Sequence, residues 1–222
     1  MKELILATMM CTMLVVAGNA WENTKTFPAA GITSVNIRTR SAPIYVVSTQ
    51  TAVIQVEQMP DNVRVCDVTM EVVDGNLVLK AMDKKGEFED IKTGIRVQLP
   101  AGIRITADTK FGDIDFHNIA GAIGAKTISG GIKLDNVSGS IKAITISGNI
   151  TGAIKLSEAS KDITFKTLSG NISVTFPYAA AIAVDAATIS GRMHNDFSAS
   201  TGLPVTARTK SGNISITKAG KL

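Results

Sequence analysis

Ser129-Gly130-Gly131-Ile132 and Ser147-Gly148-Asn149-Ile150 are two copies of a four-residue unit that recurs along the second half of this chain. The unit is first met as Phe111-Gly112-Asp113-Ile114. It returns as Ser169-Gly170-Asn171-Ile172, Ser190-Gly191-Arg192-Met193 and Ser211-Gly212-Asn213-Ile214. Successive glycines stand 18, 18, 22, 21 and 21 residues apart. A fixed period of this size marks a chain wound into stacked, near-identical units. Ala120-Gly121-Ala122-Ile123 and Ser138-Gly139-Ser140-Ile141 halve the first two periods, so glycines fall every nine residues from Gly112 to Gly148.

The second residue after each glycine is apolar, as in Ile114, Ile132, Ile150, Ile172, Met193 and Ile214, and the fourth is mostly so. The residue between them is polar in most copies. That alternation describes a short strand with one buried face. Two such strands per period, joined at glycine bends, make a flattened coil that stacks on the next at about 4.8 Å. The sequence therefore predicts an all-β chain: a single-stranded β-solenoid (parallel β-helix) with coils of 18–22 residues.

The expected organisation is a signal peptide at 1–20, a loose lead-in at 21–32, irregular N-terminal coils at 33–106 continuous with the solenoid, regular repeats at 107–217 and a tail at 218–222. The leader reads as Lys2, an apolar run from Leu4 to Ala17, and the small residues Gly18 and Ala20 ahead of Trp21. Its apolar run is shorter than the roughly 20 residues a membrane span needs. Cleavage leaves one cysteine, Cys66, read as a small buried apolar group. Asp74-Gly75-Asn76 signals a tight turn between two strands. Residues 81–93 are charged and irregular, and read as a solvated loop. The last coil, ending near Ile216, is expected to be open at its edge, with Lys218 and Lys221 guarding it.

Hydrophobic residues make up 45% of the 222-residue chain and aromatics 5%, which suits a thin aliphatic core. The net charge of +4 is scattered, and no basic strip with interleaved aromatics favours nucleic acid. Asp113, Asp115, Asp135 and Asp162 lack the Gly-Gly-x-Gly-x-Asp spacing of calcium-binding coils. His117 and His194 lie far apart in the repeat, and zinc wants more ligands. No nucleophile with a nearby base is visible. Neither a cofactor nor a metal nor a catalytic residue is expected.

The candidate binding face is the column ahead of the glycines: Thr109, Thr127, Ser129, Thr145, Ser147, Thr167, Ser169, Thr188, Ser190, Thr209 and Ser211. It reads in two ways. One is an exposed hydroxyl array that orders water or lies along a glycan; the other is a cross-strand hydrogen-bond ladder of β-branched residues.

The Thr-x-Ser-Gly-Asn/Asp-Ile repeats, the strand Val97-Gln98-Leu99-Pro100 just before them and the alternating N-terminal strands resemble a bacterial family. It is the "putative adhesin" family of secreted β-helical domains of unknown function, also described as auto-transporter adhesin head-like. The resemblance covers about residues 33–217. It implies an exported, envelope-associated, non-catalytic protein with no catalytic residues to carry over. This chain departs from the pattern at Phe111-Gly112 and at Arg192-Met193.

The function expected is an exported module whose exposed strand faces bind an extended ligand, either a surface glycan or an envelope or host protein. The alternatives are a structural module that self-assembles through its C-terminal coil, and a carbohydrate-active β-helix enzyme.

Overall fold

The computed structural model of the chain describes residues 24–59, 67–82 and 94–220. The leader, Cys66 and nearly all of the charged loop lie outside the described residues. Among the described residues no helix is long and apolar enough to cross a membrane.

Among the described residues, nineteen strands form two sheets, of ten and nine strands. The first eight, in chain order, are β1 (Thr24–Pro28), β2 (Ser34–Thr39), β3 (Ile44–Ser48), β4 (Val53–Met59), β5 (Asp67–Val73), β6 (Asn76–Met82), β7 (Gly94–Leu99) and β8 (Arg104–Asp108). The repeats then supply β9 (Ile114–His117), β10 (Ile123–Lys126), β11 (Ile132–Val137), β12 (Ile141–Ile144), β13 (Ile150–Ile154), β14 (Ile163–Lys166) and β15 (Ile172–Phe176). The chain closes with β16 (Ile182–Ser190), β17 (Met193–Asn195), β18 (Leu203–Ser211) and β19 (Ile214–Lys218).

From β8 onward each turn of the winding contributes one strand to each sheet. The ten-stranded sheet runs β1-β4-β7-β3-β9-β11-β13-β15-β19-β17, and the nine-stranded sheet runs β16-β18-β14-β12-β10-β8-β2-β6-β5. From β3 and β2 through the repeats every pairing is parallel, and like positions pair with like. Ile114 stands beside Ile132, Ile132 beside Ile150, Ile150 beside Ile172 and Ile172 beside Ile214. In the facing sheet, Ile105, Ile123, Ile141, Ile163 and Val205 form the matching column. All are at most 4% exposed and belong to one continuous core. Aliphatic burial on this scale, at about 25 cal/mol per Å², is the main force holding the sheets together.

Glycine is required at the bends because coils touch backbone to backbone there. A Cβ on Gly148 would overlap the carbonyl oxygen of Gly130 in the coil beside it. Elsewhere the bends use asparagine. Asn118 and Asn136 take the left-handed conformation, at φ 56° and 57°, which asparagine tolerates better than most residues. Their side chains hydrogen-bond to each other across coils.

Three expectations are corrected. The lead-in is not loose, because β1 pairs antiparallel with β4 from Thr24 to Pro28. The N-terminal strands are only partly solenoidal. β2, β3, β6 and β7 join parallel ladders, but β4 runs antiparallel to β7 and β5 antiparallel to β6. Each sheet thus ends on antiparallel strands at this end of the molecule, the second through the predicted Asp74-Gly75 turn.

The third correction concerns the other end. The last coil in sequence, β18–β19, is not last in space: it lies between β14–β15 and β16–β17. Consequently Met193, predicted to continue the buried column, is 56% exposed. Asn195 explains the order. It occupies the inward position that Ile216 holds next door, a polar group in an apolar column. At the end of the stack its amide can turn back, donating from Nδ2 to the Phe197 carbonyl (2.8 Å) while Oδ1 accepts from the Phe197 N–H (3.0 Å). Phe197 then packs edge-on against Phe176, with ring centroids 6.1 Å apart, and covers the end of the core.

Candidate functional site on the outward sheet faces

The Thr-x-Ser columns divide by direction. Thr109, Thr127, Thr145, Thr167 and Thr209 point inward and are buried, between 1% and 7% exposed. Their hydroxyls donate to backbone of the adjoining coil: Thr127 to the Gly112 carbonyl, Thr145 to Gly130, Thr167 to Gly148 and Thr209 to Gly170, each at 3.1 Å. Thr109 donates to the Arg40 carbonyl (3.3 Å) and Thr188 to Gly212 (2.9 Å). These hydroxyls satisfy carbonyls of the adjoining coil; all but the half-buried Thr188 are buried away from solvent. Ser129, Ser147, Ser169, Ser190 and Ser211 lie on the outside and are exposed. The bridges Ser129–Ser147, Ser147–Ser169 and Ser169–Ser211 stack them coil on coil.

Beyond the bend, Asx side chains lock each coil to its neighbour. Asp113 Oδ1 accepts from the Gly131 N–H (2.6 Å), Asn149 from Asn171 (2.8 Å), Asn171 from Asn213 (2.7 Å) and Asn213 from Arg192 (2.8 Å). They are structural ties between coils.

The outward face of the ten-stranded sheet gathers different chemistry. Parallel pairing sets Tyr45 between Arg96 and Asp115, Asp115 beside Lys133, and His117 beside Asp135. His117 Nδ1 lies 2.9 Å from Asp135 Oδ2, and Arg96 pairs with Glu57 at 3.4 Å. Tyr45, Arg96, Asp115, His117, Lys133 and Asp135 line a shallow depression of about 210 Å³. Partial burial raises the Asp115 carboxyl above its ordinary range, with the Lys133 ammonium opposing and the Asp113 charge adding to the rise. Burial likewise raises the Tyr45 phenol, helped by the charges of Asp115 and Asp113 and opposed by Arg96. An aromatic ring beside carboxylates and cations can stack on an apolar surface of a ligand while hydrogen-bonding its polar edge.

Along the same face toward β19 the charges give way to hydroxyls. Thr151, Ser173 and Ser215 follow one another on neighbouring strands. Next to them Thr175 and Thr217 share a hydrogen bond at 2.9 Å. At the far end His194 Nε2 lies 2.9 Å from Asp196 Oδ1. Asp196 Oδ2 also accepts from the Lys218 N–H (3.0 Å), and this bond chiefly lowers the Asp196 carboxyl below its ordinary range. Among the described residues, no three histidine, cysteine or acidic side chains come together as metal ligands would.

The Tyr45–Asp115–Lys133 cluster carries no local sequence motif, because each member is isolated within its own strand. The signal was present in part: the 18-residue register alone sets Lys133 beside Asp115 and Asp135 beside His117. Tyr45 and Arg96 come from the irregular coils, where no period could be counted.

Comparison with curated proteins gives no match. Among solved structures, the chain is similar to a "putative cell adhesion protein" from Clostridium sporogenes, at 13% identity and a TM-score of 0.49, covering 88% of this chain and 98% of that one. It is similar to a "putative adhesin" from Bacteroides fragilis, at 16% identity and a TM-score of 0.39, covering 88% and 96%. It is also similar to a "putative lipid binding protein" from Parabacteroides distasonis, at 14% identity and a TM-score of 0.28, covering 89% and 96%. Residues 8–217 match the family model described as Toastrack DUF4097, and the chain belongs to that family.

Proposed function

We propose that this protein is an exported, non-catalytic module that binds an extended ligand, a glycan or a protein segment, along the outward face of its ten-stranded sheet. The observation that carries the reading is the Tyr45–Arg96–Asp115–Lys133 cluster continued by the hydroxyl row Thr151, Ser173 and Ser215. Strands about 4.8 Å apart repeat at a spacing that a regular polymer can follow. Export rests on the leader, and places the module at the cell surface, in the periplasm or outside the cell. The exposed serines of the bend, Ser129, Ser147, Ser169, Ser190 and Ser211, extend the polar surface; the threonines serve the backbone.

The test is binding to an array of bacterial and host glycans and to extended peptides. Tyr45→Ala and Ser173→Arg should each weaken the same ligand about tenfold or more, while Thr106→Arg on the other sheet should not. Retained binding in both variants, or turnover of a bound polysaccharide, would overturn the reading.

A second reading, assembly through an open coil, is favoured by one observation. β16 and β17 end their sheets, and Ile189 on β16 and Met193 on β17 are 80% and 56% exposed. The assembling coil would be this one, and not the β18–β19 coil that the sequence suggested. Light scattering over a range of concentrations separates the two: growth in mass that Met193→Lys abolishes supports assembly.

A further inference from the structure

The bends that lead from the nine-stranded sheet into the ten-stranded sheet carry a different pattern. Ile128, Ile146 and Leu168 occupy equivalent bend positions on successive coils, and are 40%, 46% and 50% exposed. Backbone bonds stack them directly, with Ser147 N–H donating to the Ile128 carbonyl and Ser169 N–H to the Ile146 carbonyl, both at 2.8 Å. Lys110 precedes this aliphatic row and Lys210 follows it, each on the neighbouring coil. On the outward positions of the strands that lead into this bend are the exposed Lys126 and Lys166, aligned with Ile144 between them, and Lys142 two residues farther from the bend. Strands β10, β12, β14 and β18 contain no acidic residue, and these three lysines have no carboxylate partner among the described residues. Asp108 on β8 stands beside Lys126 and Asp162 immediately precedes β14, while Asp185 on β16 is paired with Arg208, so the cations outnumber the acids on this side.

A buried structural role does not explain three adjacent aliphatics half in water. Nor does the shape suit a folded protein partner, which offers pockets for separate anchors. The ridge repeats one aliphatic side chain per coil at the bend between the two sheets. A bilayer interface accepts such a ridge at the headgroup boundary, while lysine stems lie along it and carry their ammonium groups to lipid phosphates. We infer that this face docks the module onto an anionic lipid surface, with Ile128, Ile146 and Leu168 entering the interface and Lys126, Lys142 and Lys166 supplying the attraction to negative headgroups. This docking uses none of the Tyr45, Arg96, Asp115 and Lys133 side chains on the ten-stranded sheet.

The test is flotation of the full chain with vesicles of phosphatidylcholine alone and of phosphatidylcholine mixed with phosphatidylglycerol. Residues 1–20 are common to every protein compared, so the readout is the ratio between variant and wild type. Wild type should favour the anionic vesicles and lose that preference in high salt. The triple variant Lys126→Gln, Lys142→Gln, Lys166→Gln should lower partitioning into anionic vesicles roughly tenfold or more, leaving neutral vesicles little affected. The triple variant Ile128→Ser, Ile146→Ser, Leu168→Ser should lose binding to both; if it does not fold, the lysine variant carries the test. Partitioning of well-folded variants equal to wild type would overturn the proposal. So would a wild-type dimer that the serine variant dissolves, which would make a second copy the occupant. Tyr45→Ala should leave flotation unchanged; its loss there would also overturn the separation of the two faces.

Discussion

Thr145 and Ser147 stand two residues apart in the same repeat and do opposite jobs. Thr145 is 2% exposed and its hydroxyl holds the Gly130 carbonyl at 3.1 Å; Ser147 is exposed. Thr145→Val keeps the shape and strands that carbonyl, so it should cost about 1–3 kcal/mol. Ser147→Ala should change stability by less than about 0.5 kcal/mol. Urea unfolding of the two variants checks this, and equal losses would contradict the assigned directions. Asp115 gives a pH test. Its folded pKa lies above the unfolded value, so the folded state binds the proton more tightly and loses stability as pH rises through the carboxylate range. Asp115→Asn removes that dependence. Its stability relative to wild type should therefore increase from acid toward neutral pH, measured as the difference in urea midpoints. A difference that shrinks with rising pH would contradict the burial of this group.

Within a strand, the alternation decides what matters. β15 reads Ile172-Ser173-Val174-Thr175-Phe176, with the first, third and fifth residues buried. Ile172 sits between Ile150 and Ile214 in the column, so Ile172→Ala leaves a cavity with neighbours on both sides. It should cost roughly 2–5 kcal/mol, while Ser173→Ala is nearly silent by thermal or urea unfolding. This pattern was legible from the sequence because a two-residue period admits one register only: a slip of one residue turns every isoleucine outward. The direction of the threonines was less legible. Thr-x-Ser precedes a bend, and either residue could have faced the core until the backbone set which one did.

The stack as a whole is held most firmly in its middle. β11 and β13 have a partner on each side, whereas β17 ends its sheet and is exposed at all three positions. Amide exchange should therefore be fastest in β17 and slowest in the central coils, with β19 protected despite lying last in the chain. Fast exchange in β19 with protection in β17 would reverse the spatial order described above. The antiparallel strands at the other end, β1 with β4 and β5 with β6, pair with the stack but cannot extend its parallel ladder.

The glycine period, the buried isoleucine column and the two strands per turn were all present in the residue pattern, because each follows from contacts between neighbours one coil apart. The order of the final coils was not, since chain order does not say on which edge the next coil will stack. That choice fell to packing: Ile214 and Ile216 fill an interior position, and Asn195 is satisfied only where the stack ends. The cluster at Tyr45, Arg96, Asp115 and Lys133 belongs to the same class. Its members come from three separate parts of the chain and meet only because parallel pairing brings their strands side by side.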